Sequence, residues 1–170
     1  MKSTARLGEH PIHPMLIPYP FAFLSGALGF RLAAHARGSD ALAQTADHLR
    51  TVGLASAVIA AVPGVVDYFG SVPDGRPKRT ATQHAFSNSG ALICFAAAAL
   101  AARRGQPARD AVLRFESVGT AFLCIGGWLG GQLAYHHRIG VVEDEPLGRE
   151  AIRAGDHRSE NIEAIQNVGP

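Results

Sequence analysis

Histidine is the residue type of this sequence that is best suited to chemistry. The chain of 170 residues has eight histidines, and five of them stand near the ends of long apolar segments. These are His10, His13, His84, His136 and His137. Imidazole is the commonest side-chain ligand for zinc, copper and haem iron, and its charge changes near neutral pH. The five residues therefore predict a metal or haem site, provided that the fold brings them together.

The elements that must position these histidines are four long stretches without a charged side chain, at 11–30, 51–66, 85–102 and 117–137. A soluble amphipathic helix needs a polar stripe and rarely runs so far without a charge. A membrane span needs about 20 apolar residues, and each stretch reaches that length if flanking arginines extend their head groups to the interface. The arginines expected to do so are Arg31, Arg50, Arg103 and Arg138.

We therefore predict an all-α integral membrane protein that forms a four-helix bundle in the lipid bilayer. Its membrane domain covers 1–138, with helices at about 14–36, 45–69, 80–103 and 109–138. Pro18 and Pro20 should loosen the start of the first helix, because proline lacks the backbone N–H that a helix interior uses. Residues 139–170 have no long apolar run and are expected to form a soluble acidic tail.

Small residues repeat at a spacing of four along these helices, and Gly126 with Gly130 is one such pair. In lipid, this spacing lets two helix backbones approach closely and gain dispersion contacts. We interpret it as ordinary packing within the bundle rather than as a dedicated dimer face.

Four spans in series bring the five histidines to one side of the membrane. We call the side on which the first helix begins the N-terminal face. The first and third helices begin there and the second and fourth end there, so residues of three helices converge at one depth. The middle of each helix is nearly bare of ionisable residues. We therefore expect a single level of polar groups, which makes a continuous conduction path doubtful.

The best candidate ligands for haem b or a transition-metal ion are His13, His84 and His136, with His137 as a further metal ligand. His136 is preferred to His137 because it stands one turn after the polar Gln132. Asp67 and Asn88 could orient a ligating imidazole by accepting a hydrogen bond from it. The alternative interpretation is that these histidines only anchor the helix ends at the membrane interface.

Several other classes of function lack support in the sequence. It contains no glycine-rich phosphate loop, no nucleophile elbow and no HExxH zinc motif, so a stand-alone enzyme is not indicated. Basic and aromatic residues are not interleaved on a polar segment, which argues against nucleic acid as a partner. Cys94 and Cys124 are expected to pack as small apolar residues. Positive charges nearly balance between the two faces, so the orientation in the membrane is not predicted.

The run HPIHPMLIPYP, from His10 to Pro20, resembles the DUF2231 family of small four-helix membrane proteins. The resemblance extends over about 8–142 and includes GVVD from Gly64 to Asp67 and GGQLAYHHRIGV from Gly130 to Val141. Relatives that are fused to Rieske-type iron–sulfur domains imply a place in membrane electron transfer. Many relatives have a histidine where this chain has Pro18. If that histidine binds a ligand in them, the resemblance implies that this chain either uses His13 instead or has lost the site.

Two functions are therefore expected. The first is a redox subunit of the cell membrane, most simply a bacterial inner membrane, that binds haem b or a metal and exchanges electrons with a protein partner. The second is an accessory or assembly subunit of a membrane complex that has no cofactor.

Overall fold

The computed structural model describes residues 2–104 and 109–140. After the short strands β1 (Arg6–Leu7) and β2 (His10–Pro11), which pair antiparallel, five α-helices follow. They are α1 (Ile12–Leu16), α2 (Pro18–Arg37), α3 (Asp40–Gly70), α4 (Arg76–Ala102) and α5 (Arg109–Gly131), and a π-helical turn, Gln132–His136, continues α5. Of the predicted tail at 139–170, all but the first two residues lie outside the described part of the chain.

Four helical segments are long and apolar enough to cross a membrane: Ile12–Arg37, Asp40–Gly70, Arg76–Ala102 and Arg109–His136. The predicted all-α four-helix architecture is therefore confirmed. The first segment is divided into α1 and α2 directly before Pro18, where the missing proline N–H interrupts the helical hydrogen bonds. Large apolar side chains point outward along all four segments, among them Val58, Ile93 and Trp128, and they form the surface that contacts lipid.

The bundle consists of two hairpins. The first packs α2 along α3, the second packs α4 along α5, and less extensive contacts of α2 with α5 and α3 with α4 join them. A small cluster of buried residues fills the middle: Leu24, Ala91, Phe95 and Leu123. We call this cluster the apolar layer. Most other buried apolar residues are alanines, so the helix backbones lie close together. A polar side chain can therefore enter the bundle only where its neighbours are small.

Candidate metal centre

His13 and His84 lie side by side between the two hairpins. Their ring centroids are 6.2 Å apart and the ring planes are nearly perpendicular, at 89°. His13 comes from α1 and His84 from the third turn of α4, so the predicted approach of these two histidines is found. We call them the histidine pair.

The two rings are held in the same way. His13 Nδ1 donates to the Ala60 carbonyl at 2.8 Å, and His84 Nδ1 donates to the Gly126 carbonyl at 2.8 Å. A carbonyl oxygen only accepts, so each Nδ1 carries its proton, and Nε2 of a neutral ring is then the nitrogen with a free lone pair. A backbone carbonyl on Nδ1 is the usual outer partner of a histidine that binds metal through Nε2.

Glycine makes the space for both rings. A Cβ atom at Gly64 would lie 2.8 Å from Nδ1 and Cε1 of His13, and one at Gly130 would lie 3.1 Å from Cε1 of His84. Any larger residue would push the rings away from their carbonyl partners.

An internal repeat explains why the two rings are held alike. VGLASAVI from Val52 to Ile59 in α3 matches VGTAFLCI from Val118 to Ile125 in α5 at V-G-x-A-x-x-x-I, and Gly64 matches Gly130 at the same offset of 66 positions. The first helical segment of each hairpin therefore begins on the N-terminal face and carries a histidine. That histidine donates a hydrogen bond to a backbone carbonyl of the second helix of the same hairpin.

The packing of the core follows the same repeat. Leu24 lies against Gly53, and Phe95 lies against Gly119. Leu24 and Phe95 each follow the histidine of their own hairpin by eleven positions. The histidine pair is thus formed by equivalent positions of two similar hairpins.

Asn88 breaks this equivalence. Its Nδ2 lies 3.0 Å from Nε2 of His84 and donates to it, and the equivalent residue of the first hairpin is the apolar Ile17. Asn88 was expected to support His84 by accepting a hydrogen bond, and it does contact the ring, but through the donor atom Nδ2, which lies 3.0 Å from Nε2 and 3.4 Å from Nδ1. The amide must therefore turn away when His84 binds an ion.

Asp67 lies apart from the histidine pair. Both its carboxylate oxygens accept from Ser3 Oγ, at 2.7 and 2.8 Å, and Oδ1 also accepts from the Ala5 N–H at 2.9 Å. Where the sequence suggested a bond from a ligating imidazole, the carboxylate instead binds the start of the chain to the end of α3. The N-terminal segment supplies the Ser3 hydroxyl and the Ala5 N–H as donors, so the carboxylate is satisfied without an imidazole.

Replacing Asp67 with Asn should release this N-terminal segment. One acceptor oxygen is lost and a charged acceptor becomes neutral, so amide exchange at Ala5 should be about 10- to 100-fold faster. Hydrogen exchange followed by mass spectrometry measures this. Asp74→Asn, in the exposed loop between α3 and α4, should leave exchange at Ala5 unchanged. Equal exchange in Asp67→Asn and the natural protein would show that the carboxylate does not hold the segment.

The remaining histidines of the N-terminal face lie outside the pair. His136 is exposed, whereas His137 is half-buried and has its Nε2 3.4 Å from Thr80 Oγ1. The expectation that His136 rather than His137 faces inward is therefore corrected. Its reason is the π-helical turn, which adds a residue to the turn and rotates the residues after Gln132 relative to an α-helix. His10 is exposed on β2.

A second polar level, which the sequence did not predict, lies nearer the opposite face. Arg50 NH1 donates to Glu116 at 2.8 Å, Arg31 Nε donates to Glu116 at 3.2 Å, and both guanidiniums also contact Asp47. We call these four residues the charged network. Glu116 is fully buried, and Arg31 and Arg50 are 9% and 4% exposed. The two positive and two negative charges balance within the bundle, which lowers the cost of placing them there.

The charged network corrects two expectations. Arg31 and Arg50 do not extend to the interface, because Glu116 on the facing helix offers them a carboxylate inside the bundle. The helices also carry two polar levels rather than one. Ala60 and Gly126, whose carbonyls accept from the histidine pair, mark the first level. Arg50 precedes Ala60 by ten positions and Glu116 precedes Gly126 by ten, which places the two levels about 15 Å apart at 1.5 Å per residue. The apolar layer separates them.

The internal repeat is the signal that could have revealed this network. Arg50 and Glu116 each stand three positions before the glycine of the repeated motif, so aligning the two hairpins brings opposite charges to equivalent positions.

In the described residues, no group of three or more His, Cys, Asp or Glu side chains could hold a metal ion. A site at the histidine pair would therefore use two protein ligands.

The family model described as "Predicted membrane protein (DUF2231)" matches residues 9–143. The chain belongs to the DUF2231 family. The match covers every membrane segment, including both members of the histidine pair and all four residues of the charged network. No curated protein and no solved structure matches the chain. As a member of DUF2231 with four candidate spans, this protein is a multi-pass membrane protein in contact with the lipid bilayer.

Proposed function

We propose that this protein is a redox subunit of the membrane, most simply a bacterial inner membrane, in which His13 and His84 hold one transition-metal ion. The observation that carries the proposal is the common anchoring of the two rings. Both Nδ1 atoms donate to backbone carbonyls, at 2.8 Å each, which directs a lone pair of each ring to Nε2. Two imidazoles on equivalent positions of two hairpins form a ligand pair for one ion.

The depth of the pair supports electron exchange with a partner on the N-terminal face. His84 is the ninth residue of α4, about 12 Å from its beginning at 1.5 Å per residue. In the other direction, the apolar layer and the charged network separate the pair from the opposite face. A partner that docks on the N-terminal face is therefore nearer to the ion. The relatives fused to Rieske-type domains point to the same kind of partner.

Replacing either histidine with Ala should abolish stoichiometric metal binding, because only one protein ligand would remain. The protein should be purified without oxygen from membranes and analysed for metal content and for visible absorption in oxidised and reduced form. We expect one ion per chain in the natural protein, and less than about a tenth of that in His13→Ala and His84→Ala. His35→Ala and His48→Ala, exposed positions near the opposite face, are the matched controls.

Two outcomes would contradict this proposal. A metal-free protein without a visible band would remove it, and so would metal content that survives both His13→Ala and His84→Ala. A Soret band in the natural protein would show that the ion is haem iron.

One observation favours the alternative function, an accessory subunit without a cofactor. The Asn88 amide already satisfies Nε2 of His84, so the ring has a full set of hydrogen bonds in the absence of any ion. In this case His84 acts as a polar contact between α4 and α5. His84→Ala would then weaken the packing of the second hairpin and leave metal content at background in every variant.

A further inference from the structure

The charge of the ligand set limits the ion that the histidine pair can hold. Both rings are neutral when Nε2 binds an ion. Asp67, the carboxylate that the sequence suggested as a partner, instead accepts hydrogen bonds from the N-terminal segment. Cys94 follows His84 by ten positions, about 15 Å along the helix, and Cys124 is exposed on α5. An ion at the pair would therefore receive no negative charge from these residues.

The cost of burying that charge rises steeply with its size. The Born energy of an ion grows with the square of its charge, so a divalent ion costs about four times as much as a monovalent ion of equal radius. Two neutral imidazoles add no negative charge to offset this cost. The site therefore favours the monovalent state of an ion that accepts nitrogen ligands, which in a redox subunit is the reduced state.

The geometry favours an ion with two ligands. Each metal–imidazole bond is about 2.0 Å, so two rings on opposite sides of one ion have their centres about 6 Å apart. The centroids of His13 and His84 are 6.2 Å apart. Zinc normally takes four ligands, and calcium and magnesium take six or more oxygens. Copper in its monovalent, closed-shell state accepts two ligands in a line, and imidazole suits copper.

We propose that the histidine pair is a two-coordinate site for monovalent copper, bound through Nε2 of His13 and of His84. This inference rests on the proposed function, since it names the ion of the same site. The perpendicular rings keep their hydrogens apart around the ion, and the carbonyls of Ala60 and Gly126 hold both rings in place. Asn88 is not a ligand in this arrangement, because an amide oxygen is a poor partner for a soft ion.

The test is a competition experiment on the full chain in lipid nanodiscs without oxygen. Copper(I) is offered from a coloured copper(I) chelator, and zinc(II) and iron(II) are offered separately from metal buffers. The background carries Cys94→Ala and Cys124→Ala, so that no thiol competes. We expect one copper(I) per chain and an affinity that falls more than about 100-fold in His13→Gln and in His84→Gln. Gln keeps a polar side chain, and a monodisperse elution profile confirms that each variant is folded.

Asn88→Ala separates a two-coordinate site from one with an additional oxygen ligand. It should keep or improve the copper(I) affinity, because the amide competes for the lone pair of His84. A loss of more than about tenfold would show that the amide is a ligand and would overturn the two-coordinate assignment.

The other outcomes distinguish this inference from the proposed function. Binding of zinc or iron through the two histidines, without copper(I) binding, would overturn the monovalent assignment and leave a metal site in place. Binding of none of the three ions would overturn both. Copper(I) binding that is insensitive to both histidine substitutions would overturn the assignment to this pair.

Discussion

Replacing Glu116 with Gln should destabilise the bundle by about 3–5 kcal/mol, because two guanidiniums would lose the carboxylate that neutralises them inside the protein. Glu116 is fully buried and accepts from both Arg31 and Arg50. Asp47 would remain as the one acid of the charged network, shared by two positive charges. Unfolding in a titration of denaturing detergent, followed by circular dichroism, measures the loss.

Asp110→Asn is the matched control, since Asp110 lies on the same helix and is exposed; it should change the stability by less than about 0.5 kcal/mol. A second variant tests whether charge balance, rather than Glu116 itself, is what matters. Exchanging the charges of the equivalent positions, as Arg50→Glu with Glu116→Arg, should recover part of the stability. If Glu116→Gln is as stable as Asp110→Asn, the charged network does not stabilise the bundle.

Adding a single methyl group at Gly53 or at Gly119 should destabilise the protein by about 1–3 kcal/mol, since no space exists for it. A Cβ at Gly53 would lie 2.6 Å from Cδ2 of Leu24, and one at Gly119 would lie 2.8 Å from two ring carbons of Phe95. Leu24 and Phe95 are fully buried in the apolar layer and cannot move aside. The same detergent titration measures both variants.

Gly29→Ala is the control, because a Cβ there has no neighbour within 4 Å. It should stabilise α2 by about 0.5–1 kcal/mol, since alanine loses less conformational freedom than glycine. Leu24→Ala combined with Gly53→Ala should be less destabilising than the sum of the two single changes, because the shortened side chain removes the clash. Additive effects would show that the two residues do not meet.

The membrane architecture could be predicted because it depends on long-range composition. Long uncharged stretches determine where a chain crosses lipid, and alternating crossings place His13 and His84 at one depth whatever the details of packing. The second polar level could not be predicted in this way. Arg31 and Arg50 stand at the ends of uncharged stretches. The sequence pattern at such a position is the same whether the arginine extends to the interface or is buried in the bundle. The buried position of Glu116 on the facing helix decides between them.

Local geometry accounts for the other differences. The choice between His136 and His137 assumed a regular α-helix, and a π-helical turn changes which of two adjacent residues faces inward. The partners of Asp67 come from the N-terminal segment, more than sixty positions away in sequence, and no periodicity indicates such a contact. Asn88 was placed correctly beside His84 because residues four apart share a helix face.

Separation of the two polar levels bears on function. The residues of the apolar layer between them are 0–6% exposed. Within the described residues, this layer leaves no path by which water could pass from the histidine pair to the charged network. This separation argues against the conduction of an ion across the membrane. The charged network joins α2, α3 and α5, and the histidine pair joins α1 and α4, so each level links the two hairpins.

X-ray absorption at the edge of the bound metal tests the central claim most directly, since it reports the ligands of the ion itself. For a joint site of His13 and His84, the spectrum should contain two nitrogen neighbours at about 2.0 Å with the outer-shell scattering of two imidazole rings. Scattering from one imidazole or none, or from sulfur, would contradict a site that the two hairpins share.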